Sequence, residues 1–331
     1  MESIYRNIII RTKRNLSKGF CLFLSMVLLC TLSGCGLEKR IAAENVTEEE
    51  SRVDEEVKTE EGRADGDGPE TLDSFRAEHA DREEDFSEEE EEKPTTMSQL
   101  MGGAESEIDS PDTVLWFNAT YAPLTYSNAG NWKLVGGVQP STYNERLVQA
   151  LILRDWNVQD RESALETIEW LKKEGHRAKW QECMEELQEM GMLDMDAEIF
   201  LQALMDTGKE NLFRYVMVYD LYQNGQDANA IAAWDLCRVN QLYGDFYICG
   251  YMTYEEAMDA SLENSLVLQQ MFPSWEAMVN SYMMGYQFWQ SDPCLTEDSP
   301  TLKRYGYYEI LLETENGPYT LDWDMELTKS W

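Results

Sequence analysis

Residues 232–257 read AAWDLCRVNQLYGDFYICGYMTYEEA, and the fold class turns on them. At about 100° per residue, Ala232, Leu236, Val239, Tyr243 and Phe246 fall on one narrow apolar stripe of a helix. Ile231, Leu242 and Cys249 make a second strip. This predicts a helix over 228–249 with apolar residues around most of it. Gly250 is placed to end that helix, and Thr253 with Glu256 has the T-x-x-E spacing that opens the next. The two helices form a tight αα-hairpin. Asp235 and Arg238 sit beside the second strip, three residues apart, a spacing at which side chains on a helix meet. The preferred reading is an internal pair that fixes how neighbouring helices meet. Breaking such a pair, when partly buried, costs about 3–5 kcal/mol. The alternative is a ligand or catalytic site.

The helical pattern continues on both sides. In TYNERLVQALILRDW, Leu147, Leu151 and Arg154 recur at i, i+4 and i+7, with Val148 and Ile152 beside them. In DRESALETIEWLKKEGH, Ala164, Leu165, Ile168 and Leu171 have helical spacing, with Asp160 as N-cap and Gly175 as the stop. Further helices are expected near 177–190, 195–206 and 210–223. Pro273-Ser274 punctuates the start of another, and Ser299-Pro300 is a cap followed by a first-turn proline. That last helix is expected to end near Glu313, followed by an extended segment that packs Tyr319, Leu321 and Trp323. LVGGV reads as a turn, within a stretch, 113–138, that has the weakest pattern.

The expected fold is therefore mostly α: a single domain over 113–331, of about eight to ten helices, preceded by a disordered acidic tether. All ten tryptophans lie at 116 or later. Residues 38–112 hold 28 acidic against 8 basic residues and only two aromatics, Phe75 and Phe86. Glu83 to Lys93 reads EEDFSEEEEEK. Such a segment buries too little apolar surface to offset its chain entropy. As a coil it would span roughly 50 Å, and its charge would keep it off an anionic bilayer.

Residues 1–34 read as a lipoprotein signal peptide. Arg6, Arg11, Lys13, Arg14 and Lys18 form a basic region, and Phe20 to Leu32 an apolar core of 13 residues. That is short of the ~20 residues a membrane-spanning helix needs and suits a signal peptide. Leu32-Ser33-Gly34-Cys35-Gly36 resembles a bacterial lipobox, which implies cleavage before Cys35 and acylation of that residue. The linker is then 35–112. Two or more acyl chains give stable anchoring, so the expected location is the extracytoplasmic face of a cell membrane.

The formal net charge of −36 excludes a basic stripe able to release counterions from phosphate, so nucleic acid is not an expected partner. No metal or cofactor is expected. Histidine occurs only at His79 and His176, without a metal-binding spacing, and no Gly-rich phosphate loop or G-x-S-x-G elbow appears. Cys183, Cys237, Cys249 and Cys294 remain after the signal. Cys237 and Cys249 on one straight helix would be about 18 Å apart, too far for a bond that needs about 7 Å. His176 ends the Glu174-Gly175-His176 run, where a histidine suits the negative end of a helix dipole.

AWDLCRVNQL, GYMTYEEA, FPSWEAMVNSYMMGYQFW and, upstream, LRDWNVQDRESALETIEWLKKEGHR together resemble the signature of the bacterial domain of unknown function 1266 family. The resemblance spans about 120–326. It implies a mostly helical domain and no established activity. Its characteristic positions here are Trp156, Gly175, His176, Trp234, Asp235, Arg238, Gly250, Ser274, Trp275, Gly285 and Trp289. Cys237 departs from the small residue expected there. The resulting expectation is a membrane-anchored binding or interaction module with an unknown protein or small ligand as partner. The rivals are an enzyme with a cleft around Asp235, Arg238 and His176, and an envelope immunity-type protein against a competitor's toxin.

Overall fold

The computed structural model describes residues 110–294 and 299–331. The expected signal segment, Cys35, His79 and the acidic linker up to residue 109 lie outside the described residues. The described chain is all-α, with eleven helices. They are α1 (Asp112–Thr120), α2 (Ala122–Ser127), α3 (Thr142–Trp156), α4 (Arg161–Lys173), α5 (Arg177–Glu189) and α6 (Ala197–Asp206). After them come α7 (Leu212–Gln223), α8 (Ala232–Ile248), α9 (Tyr254–Met271), α10 (Trp275–Gln290) and α11 (Pro300–Glu313). The count exceeds the expected range because the weakly patterned 113–138 holds α1 and α2. Almost all of α1 is buried, so it carries no amphipathic signal. Among the described residues no helix is long and apolar enough to cross a membrane.

Helix ends follow local chemistry. Asp160 accepts the Ser163 N–H at 2.9 Å, and the Ser163 hydroxyl reaches back to the Asp160 N–H at 3.2 Å. Thr253 and Glu256 close the same reciprocal box, with Glu256 N–H to Thr253 at 3.2 Å and Thr253 N–H to Glu256 at 2.8 Å. The Ser299 hydroxyl accepts from Leu302 N–H at 3.1 Å, with Pro300 in the first turn. The Ser274 hydroxyl does so for Ala277 at 3.2 Å. At the other end of α4, Gly175 takes a left-handed φ of 57° and returns its N–H to Trp170 O at 2.9 Å.

The residues group into two compact units, neither of them one continuous length of chain. The first includes 176–232, 283–294 and 299–306. Its core gathers Trp180, Leu187, Phe200, Phe213, Val218, Ile231 and Phe288. Phe200 stacks on Tyr219 with centroids 3.9 Å apart. The Arg214 guanidinium donates to Phe288 O at 3.0 Å and Trp289 O at 2.6 Å, so a cation sits on the last-turn carbonyls of α10, of which Phe288 O also accepts the Ser291 N–H.

The second unit includes 110–175, 233–282 and 307–331. α8 is its axis. Both expected strips are buried, and only Arg238, Gln241 and Tyr247 are even partly exposed. A helix apolar nearly all round has to be enclosed by others. Two neighbouring helices present different faces from those their leucines suggested. α3 buries Asn144, Val148 and Ile152 rather than Leu147 and Leu151, and the Asn144 amide donates to Gln139 O at 2.8 Å. α4 buries Ala164, Thr167, Ile168 and Leu171, which leaves Leu165 exposed because it lies about 100° from Ala164 on the helix.

Buried polar side chains tie α1, α8 and α9 together. The Asn240 amide donates to Thr120 Oγ1 at 3.1 Å and Ser265 Oγ at 3.0 Å. The Asn264 amide donates to Asn240 Oδ1 and Leu236 O, both at 2.8 Å. The expected LVGGV turn crosses α8 at Gly244: a Cβ there would lie 2.6 Å from Gly136 N. A mid-helix glycine usually costs about 1 kcal/mol against alanine; here it permits the crossing. Gly244→Ala is therefore expected to lower stability by about 1–3 kcal/mol, as overpacking does. Urea unfolding measures it, and a gain in stability would contradict the packing described.

Candidate functional site

α8 carries Asp235, Arg238, Gln241 and Asp245 along one side, with Trp234 beside them. Opposite stands the end of α3, with Arg154, Asp155 and Trp156 half-buried. The Arg238 guanidinium lies 4.6 Å from the Trp156 ring centroid and 4.6 Å from that of Trp234. Contact at this range is favourable by about 0.5–2 kcal/mol per ring, more as water is excluded. Two of the resemblance's signature tryptophans thus place its signature arginine: Trp234 from one turn before it on the same helix, and Trp156 from α3, which spacing along the chain gives no hint of.

Asp235 has no exposed surface. Above it passes the backbone at Gly175, where a Cβ would stand 2.4 Å from Asp235 Oδ2. Gly175 is thus required twice, by its positive φ and by the carboxyl group beneath it. His176 belongs to the other unit, and Asp235 and Arg238 to this one. The expected place of His176 at a helix C-terminus needs correction. It is the N-cap residue of α5, with α4 already ended at Lys173, because Gly175 turns the chain before it. Its ring meets Trp289 edge-on at 6.4 Å.

Gly250 ends α8 with φ 72°. Trp275 is buried against Trp116, and its indole donates to Leu321 O at 2.8 Å. These signature positions are structural in the same sense as Gly175. Cys237, the departure, packs its sulfur 3.2 Å from Met278 Sδ.

The four described cysteines are free thiols. Burial pushes Cys183 up to about 11 and Cys294 up to about 12, and raises Cys237 and Cys249 further. At neutral pH each is a thiol rather than a nucleophilic thiolate. Among the described residues no group of three or more His, Cys, Asp or Glu is placed to hold a metal ion.

Sequence reading missed Asp245. Burial pushes its carboxyl up from 3.8 to about 7. The hydrogen bond from Gln241 (3.0 Å to Oδ2) and the charge of Arg238 oppose this, and Asp155 adds to it. Tyr121, whose hydroxyl donates to Asn118 at 2.7 Å and accepts from Gly136 N–H at 3.3 Å, feels the same charge, as does Cys249. In sequence, an aspartate in GDFY carries no sign of burial; only the placement of α8 creates it.

The fold and this site define a class: an all-α domain whose distinctive polar and aromatic residues lock a central helical hairpin. The family model described as protein of unknown function (DUF1266) matches residues 152–323. The chain belongs to that family. No curated protein and no solved structure gives a match.

Two outcomes are expected. Gly175→Ala destabilises the protein strongly, and part of the loss is recovered in the Asp235→Ala background, where the carboxyl is gone and only the φ strain remains. A double-mutant cycle on unfolding free energies measures the coupling; additivity would disprove the close approach. For Asp245, the folded carboxyl binds its proton more tightly than the unfolded one. Its contribution to stability is therefore fully present below the unfolded value and is lost as pH rises from about 4 through about 7. Asp245→Asn is expected to flatten that decline and to be more stable than the parent at pH 8, as thermal unfolding at a series of pH values would report.

Proposed function

We propose that this chain is a membrane-anchored extracytoplasmic lipoprotein whose helical domain acts as a binding or protein-interaction module. The anchoring rests on the basic and apolar leader, LSGCG and Cys35, and on the 35–112 linker as a tether. The module reading rests chiefly on Asp235. The family's central polar residue has no surface to offer a substrate, and Arg238 is held between two indoles. The signature thus serves the architecture, and contact with other molecules falls to the surface around it. The acidity of the domain, 34 acidic against 14 basic residues over 113–331, favours a basic or neutral partner over nucleic acid.

Crosslinking in the native host, followed by identification of the captured proteins, tests the module. A reproducible partner that is lost when the folded domain is deleted is expected. A purified domain that turns over a substrate, with neither partner nor ligand-induced thermal shift, would replace this reading with the enzyme. Cys35→Ser is expected to move the protein from the membrane fraction to the soluble one and to abolish labelling by a fatty acid analogue. Unchanged fractionation would remove the lipid anchor.

A further inference from the structure

The second unit holds a feature that neither the family signature nor the proposed anchor uses. Residues 318–331 lie against α1, α9 and α10 and contain no helix beyond the single 3-10 turn Pro318–Thr320. They are held largely by donors that read main-chain carbonyls. The Trp275 indole donates to Leu321 O at 2.8 Å, and the Trp116 indole to Trp323 O at 3.3 Å. The Gln269 amide reaches Trp323 O at 2.7 Å and Met325 O at 3.1 Å. Trp323 fills an aromatic slot, its ring 4.8 Å from Trp275 and 5.1 Å from Trp116, with its own indole bonded to Phe272 O at 3.1 Å. Further on, Lys329 pairs with Glu255 at 2.8 Å and Asp259 at 2.9 Å, and Trp331 donates to Asp259 at 2.9 Å.

This is the donor pattern of a peptide-recognition groove. Side-chain N–H groups that bind carbonyls accept any sequence, an aromatic slot selects one anchor, and an acidic end selects a cation. The carbonyls of a helix-free segment must find donors outside it, and here three side chains supply them. The connection is also suited to release: Thr314, Glu315 and Asn316 are exposed. Both α1 and residues 324–331 lie outside the stretch matched by the family, 152–323. Gln269, Trp275 and the anchor Trp323 lie within that stretch.

We infer that the groove between α1, α9 and α10 is a binding site for an extended peptide with a tryptophan anchor followed by a lysine or arginine. Residues 318–331 are its resident occupant and keep it closed. The inference deepens the reading of the domain as an interaction module and rests on it for its biological sense.

The experiment uses the full chain with a protease site inserted at Glu315, cut after folding, and a fluorescent synthetic peptide of residues 318–331. The peptide is expected to exchange into the cut protein, with a rise in anisotropy, and to be excluded from the uncut protein. A Trp323→Ala peptide is expected to bind roughly 30-fold or more weakly, the loss of a buried aromatic anchor. A Lys329→Ala peptide is expected to bind no more than about fivefold weaker, the loss of an exposed ion pair. A segment that never exchanges, or whose release unfolds the domain, is core, and either result overturns the proposal. So does a segment that leaves without the peptide rebinding, or equal binding to the uncut protein. Exchange in solution with no partner captured in cells would leave the groove standing and remove the module. A captured partner that the peptide fails to compete away would leave the module standing and overturn the groove.

Discussion

The fold of the second unit depends on burying α8 on nearly every side. A helix so enclosed has no solvated face on which to keep a polar residue cheaply, so each one it carries needs a dedicated arrangement. Asp235 lies beneath a glycine, Arg238 between two indoles, and Asn240 within a ladder of amides and hydroxyls. Gly244 gives up helix propensity so that the Gly136 turn can cross. These arrangements specify which neighbours α8 has and in what register, because a slip of one residue would bring Asp235 or Asn240 against apolar side chains.

Much of this organisation was legible in the sequence, and the boundary of what was legible has a physical cause. Features written within one helical turn could be read. Asp160, Thr253 and Ser299 cap where expected, Pro273-Ser274 marks a helix start, Gly175 and Gly250 stop their helices, and the apolar strips of α8 are buried. Features that join distant residues could not. Trp156 meets Arg238, and Gly136 meets Gly244, across long stretches of chain whose spacing is free to vary. Even the direction in which α3 and α4 face was set by such contacts, so Leu165 ended outside and Asn144 inside. The candidate site was half legible for the same reason. Asp235 and Arg238 stood out because they interrupt an apolar run, whereas Asp245 looks like any helical aspartate until its surroundings are known.

The contrast between these aspartates bears on how the domain responds to its surroundings. Most carboxyls in so acidic a chain repel one another, so its overall charge favours milder acid. Asp245 acts in the same direction from the inside, since its ionised form is the one that burial opposes. Arg238, held by its two indoles, moderates that opposition without abolishing it. A rise in pH therefore lowers stability through this buried carboxyl as well as through the charged periphery.

The two ends of the second unit answer different needs. Around α8, polar groups are enclosed and serve to fix one arrangement. Along residues 318–325 the polar contacts run from side chains to main-chain carbonyls, and beyond them Lys329 makes ion pairs that are exposed to solvent. Contacts of the first kind cannot be broken singly without stranding a buried group. Those of the second kind can be exchanged one for another, because any peptide offers the same carbonyls. A domain built this way keeps its specificity in the enclosed hairpin and its adaptability at the aromatic groove.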